Sequence, residues 1–227
     1  MKFSKTILVF FLLLGQSSLT FAGQMFVTDL VDGSGTLPIP GNQAWPGQLG
    51  DDFTVNNDIS ISSIGVFDDD GDGTLGALTW QLFNVGTGAL IHTQTIGPSS
   101  ATGGSTIESN YVWADLLSSI SLSAGQTYSA VSYGFDNDDK NFNTNYNLDT
   151  LDVVFNTADI TAAGGRYSNA AFGTLPTIGA GNVASAQLYN FGAATFEYSS
   201  VPEPSIIALF AAGLFGIGFA RRRRTHN

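Results

Sequence analysis

The chain has 227 residues, 43% of them hydrophobic, no cysteine and a formal net charge of −11. Lys2, Lys5 and Arg221–Arg224 lie at its two ends, so the roughly 178 residues between carry only Lys140 and Arg166 against eighteen acids, a charge near −16. Such a domain has nothing to set against phosphates, which excludes nucleic acid as a partner, and without cysteine no disulfide or thiol chemistry is open to it.

Met1–Ala22 reads as a secretory signal peptide. Lys2 and Lys5 give a positive start, Ile7–Leu14 is an eight-residue apolar run, and the small residues Thr20 and Ala22 stand at −3 and −1 before Gly23. The run is far short of the roughly 20 apolar residues of a spanning helix. Gly23–Ser200 is then one exported domain, large enough to bury a core.

Within it, short apolar runs alternate with turn signals. Strands are expected at Asp52–Val55, Ile59–Phe67, Ala77–Val85, Ala89–Ile96, Tyr111–Leu117, Gln126–Phe135, Leu151–Asn156 and Ala186–Tyr198. Leu78, Trp80 and Leu82 alternate with Thr79 and Gln81, the period of a half-buried strand. Ile59 and Ile61 change phase to Ile64 and Val66, which predicts a bulge at Ser62–Ser63. Gly86-Thr87-Gly88 reads as a hairpin loop. Asn137–Thr150 and Asn156–Ala186 read as long loops. The spacing predicts an all-β, antiparallel β-sandwich.

The strand ending at Phe67 runs into Asp-Asp-Asp-Gly-Asp-Gly-Thr. Asp68, Asp70 and Asp72 occupy positions 1, 3 and 5 of a D-x-D-x-D-G loop, and Thr74 can add its backbone carbonyl. Carboxylates on alternating residues before a glycine turn suit a hard cation, so Ca2+ is the cofactor this loop suggests. The EF-hand pattern fails at position 12, which is Thr79. A solvated acidic turn is the plainer reading. Asp136, Asp138 and Asp139 form a second acidic cluster after another strand end, with Asp136 and Asp138 the weaker metal candidates, and a sandwich can bring both clusters to one end. No enzyme is expected: the domain has one histidine, His92, within a strand, and no Gly-x-Ser-x-Gly elbow. Paired carboxylates of a glycoside hydrolase stay a distant third reading. Trp45, in a polar loop, is the aromatic best placed to stack on a sugar.

The tail closes the chain. Pro202 and Pro204 keep Val201–Pro204 extended. Ser205–Ala220 is sixteen residues without charge, roughly 24 Å as a helix. Arg221, Arg222, Arg223 and Arg224 would stop translocation and stay cytoplasmic. Pro202-Glu203-Pro204, an apolar run and a terminal arginine cluster, in that order, resemble the PEP-CTERM sorting signal. That resemblance implies recognition by an exosortase in the inner membrane of a Gram-negative bacterium that makes exopolysaccharide, with residues 201–227 as the signal. The order Gly-Val-Phe-Asp-Asp-Asp-Gly-Asp-Gly, Trp80-to-Ile91 hairpin and Leu122–Gly134 also resembles the jelly-roll-like ectodomain of many PEP-CTERM proteins. The expected function is a structural or matrix protein at the cell surface, stabilised by calcium. A carbohydrate-binding module for exopolysaccharide is the alternative.

Overall fold

A computed structural model describes residues 23–99, 107–144, 151–169, 172–177 and 190–201. The expected signal peptide, the apolar run of the tail, Pro202, Glu203 and Pro204 of the expected sorting signal and the arginines Arg221–Arg224 lie outside the described residues. Among the described residues no helix is long and apolar enough to cross a membrane.

The described chain is all-β and antiparallel. One sheet has the order β1 (Gln24–Met25), β11 (Ala194–Ser200), β4 (Ile59–Phe67), β7 (Tyr111–Leu122). The other has the order β10 (Ile160–Ser168), β3 (Gln48–Val55), β8 (Thr127–Tyr133), β5 (Leu78–Asn84), β6 (Leu90–Ile96). A small ribbon pairs β2 (Val27–Val31) with β9 (Asp152–Phe155).

The two sheets close on an aromatic centre. Phe26 stacks on Phe196 at 4.7 Å, and Phe53 from the opposite sheet lies 5.2 Å from Phe196. All three are fully buried, each contributing on the order of 2 kcal/mol by leaving water. Trp80, also fully buried, donates its indole N–H across the sandwich to the Thr195 carbonyl at 3.0 Å. Its place on the inner face follows from the alternation of Leu78, Trp80 and Leu82.

The expected bulge is present. Ile61 pairs with Ile120 and Ser63 with Asp115, so Ser62 faces the excursion of residues 116–119, which carries Leu117 fully into solvent. The Gly86–Gly88 hairpin also forms, with Gly88 at φ 71°. Several segments differ from expectation: β1 and β2 are not among the expected strands, β3 begins at Gln48 rather than Asp52, and β11 begins at Ala194, residues 190–193 being outside any strand. β7 runs on to Leu122, past Leu117, and β10 lies inside a stretch read as loop.

Strand directions give the sandwich two distinct ends. Ser200, where β11 stops, pairs with Ile59, and Gln24 pairs with Tyr198 nearby. Residues 24 and 200, near the two ends of the described domain, therefore lie at one pole. Phe67 and Tyr133 finish their strands at the other pole, beside the acidic segments.

Candidate functional site

The candidate site is that second pole. β4 delivers Asp68–Thr74 and β8 delivers Asp136–Asp139, and the two acidic clusters meet as the topology requires. Asp139, from the second cluster, accepts the backbone N–H groups of Leu75 at 3.1 Å and Gly76 at 2.8 Å, just past the first. Asp68 accepts the Gly73 N–H through both oxygens at 3.1 Å. Asp69 accepts the N–H of Gly41 and that of Lys140, the latter at 3.3 Å. Asp136 accepts the N–H groups of Asp138 and Asp139 at 2.8 and 3.0 Å. The Thr74 carbonyl accepts the Ser99 N–H at 3.0 Å.

The pole is thus a set of turns whose buried carboxylates cap backbone donors. Gly71 makes the turn possible: it sits at φ 68°, and a Cβ there would lie 2.7 Å from the Ser109 carbonyl. Asp70 is also left-handed, at φ 64°, a conformation Asp tolerates better than most residues. Burial raises the Asp68 carboxyl to about 6, against the Gly73 hydrogen bond, and Asp72, Asp139 and Asp69 push it further. Burial also raises Asp69.

Asp70, Asp72, Asp136 and Asp138 keep exposed side chains. Among the described residues, no group of three or more His, Cys, Asp or Glu is arranged to hold a metal ion. The roles of Asp69 and Asp139 were not legible from spacing, since their partners, Gly41 and Leu75, lie 28 and 64 residues away.

A direct consequence can be measured by melting with and without calcium. Asp139→Ala, which orphans two amides, should cost about 2 kcal/mol. Asp70→Gly, which relieves a positive φ and removes an exposed charge, should be neutral or stabilising. A loss in Asp70→Gly confined to calcium-containing buffer would instead make Asp70 a ligand.

Trp45 is the aromatic expected to stack on a sugar. It is half-buried, meets Tyr167 edge-on at 6.5 Å and lies over Gly47, where a Cβ would come within 2.6 Å of its indole nitrogen. Phe172, which the sequence did not single out, is 54% exposed and stacks on Tyr133 at 3.9 Å. A cavity of about 440 Å³ is walled by the end of β2 and the loop after it, within Asp29–Ile39, whose Asp29 and Asp32 carboxylates accept the amides of Leu30 and Ser34 in that same segment.

Residues 39–189 match the family described as "Domain of unknown function (DUF4082)", and residues 200–224 match the PEP-CTERM protein-sorting motif. No curated protein matches the chain.

Proposed function

The chain belongs to the DUF4082 family and ends in an exosortase-targeting PEP-CTERM motif, so it is an exported protein, and on that premise we propose that it is a non-catalytic display protein that holds an acidic pole away from the membrane. One observation carries this reading. β11 ends at Ser200, where the sorting motif begins, and the Val201 N–H donates to the Asp58 carbonyl at 2.8 Å. No linker separates the sandwich from the motif. The apolar run 205–220 then anchors the pole that contains Ser200 until processing, and Asp68–Asp72 and Asp136–Asp139 face outward. A nine-residue strand such as β4 separates the poles by about 30 Å at roughly 3.3 Å per residue.

Support for a non-catalytic role comes from the carboxylates, the groups a hydrolase would need. Those that are buried at the pole are occupied by amides. Calcium enters this proposal as a counter-ion to the exposed carboxylates, acting in the surface or matrix setting through charge screening.

The test expresses the full chain in an exosortase-bearing bacterium and in its exosortase deletion. The tail should be lost only in the first, and Pro202→Ala with Glu203→Ala should keep the protein intact and membrane-bound there. Equal tail loss in both strains would overturn the reading.

A further inference from the structure

β6 closes the five-stranded sheet, and among the described residues no strand pairs with its far side. It is an unusual edge. Leu90 and Ile91 are 39% and 41% exposed, and Thr93 and Thr95 are exposed as well. Edge strands are ordinarily guarded by charge or proline, yet residues 73–107 contain no Asp, Glu, Lys or Arg, and neither do residues 116–135. The bulge in the β5–β6 ladder falls at Ile91, which leaves His92–Ile96 regularly paired. At the acidic pole, a copy approaching this domain of charge near −16 meets like charge. Along β6 it meets none, and it finds an edge with no strand partner among the described residues, flanked by Leu90, Ile91, Thr93 and Thr95.

We propose that β6 is a pairing edge for a second copy of this chain, joining two five-stranded sheets into one continuous sheet. A two-fold pairing of identical edges is antiparallel. β6 runs between the poles, from the Gly86–Gly88 hairpin beside Thr127 to Ile96 beside the acidic pole. The pair is therefore head to tail, with the two Val201 ends at opposite extremes. Two copies anchored in one membrane through linkerless tails cannot adopt it; copies freed from the membrane can. This coupling rests on the tail-anchored reading above, and it makes release the step that permits assembly.

The cysteine-free chain gives a clean test. Full-length Thr93→Cys, at the centre of β6, and Thr87→Cys, in the hairpin beside it, are treated with a short bismaleimide. Each is treated in detergent and in spheroplasts of an exosortase-deficient host, where all copies share one orientation. In detergent Thr93→Cys should give a covalent dimer and Thr87→Cys none, and adding Thr95→Asp should abolish the dimer without lowering the melting temperature. In spheroplasts the Thr93→Cys dimer should be lost. A monomer in detergent, or a dimer indifferent to Thr95→Asp, overturns the pairing edge. A Thr87→Cys dimer overturns the antiparallel arrangement, and equal cross-linking of Thr93→Cys in spheroplasts, with Thr87→Cys still monomeric, overturns the tail anchoring on which the coupling to release rests. None of these readouts depends on whether an exosortase cuts the tail, so failure of the pairing and failure of the sorting reading are told apart.

Discussion

Replacing Arg166 by alanine is expected to cost about 3–5 kcal/mol of stability, read as a shift in urea midpoint. Arg166 on β10 sends its Nε to both oxygens of Asp52 on β3, at 2.6 and 2.7 Å, and one terminal nitrogen to the Pro176 carbonyl at 3.3 Å. Both side chains are about one-tenth exposed. It is one of only two cations in a domain of eighteen acids, so Asp52 has no substitute partner once the guanidinium is gone. The cost is that of a stranded buried charge, more than the net value of the pair. The double variant Arg166→Met, Asp52→Leu should therefore recover most of the loss. Arg166→Lys should not, because an ammonium cannot serve Asp52 and Pro176 from one planar group. A double-mutant cycle that shows no coupling between the two positions would sink this account.

The second large effect is an inverted response to pH. Asp51, on the inner face of β3, is buried and accepts the N–H groups of Phe191 and Gly192 at 3.0 and 2.9 Å. Burial nevertheless raises its carboxyl to about 7, with Asp52 adding repulsion. Asp68 rises to about 6, and Asp69 rises too. In each case the folded value lies above the unfolded one near 3.8, so between about pH 4 and 7 the folded chain holds more protons than the unfolded chain. Stability from these groups is complete below the unfolded value and is lost as pH rises through the folded values. Asp32, lowered by its loop hydrogen bonds, works the other way from an exposed position. The melting temperature should accordingly fall from pH 5 to pH 8. Within the window, one raised group changes stability by about 1.4 kcal/mol per pH unit. Asp51→Asn should flatten the slope above pH 6. A melting temperature that rises over this range would contradict the assignment.

The residues that spoke most clearly in the sequence were those whose neighbours are local. The phase change from Ile61 to Ile64 located the Ser62 bulge, and Gly-Thr-Gly located the hairpin. β4 has the bounds its apolar run implied, Ile59–Phe67. β10 escaped because its middle reads Ala162-Ala163-Gly164-Gly165: small residues pack it against β3 without the large alternating side chains that mark a strand. β7 continued past its apolar stretch because ladder bonds to β4 resume at Ile120 after the excursion. At the acidic pole, the meeting of the two clusters followed from strand ends alone. What each carboxylate does there did not, since its partner is a backbone amide set by loop geometry rather than by residue type.

The direct exit of the tail from β11 has a mechanical consequence. β11 lies between β1 and β4, seven of its residues paired antiparallel to β4. Tension between a membrane-held tail and a load on the acidic pole pulls β11 along its own axis. The ladder to β4 then resists in shear, with its bonds stretched together, rather than opening one by one like a zipper. The strand that carries the sorting signal is also the strand best seated to bear a pull.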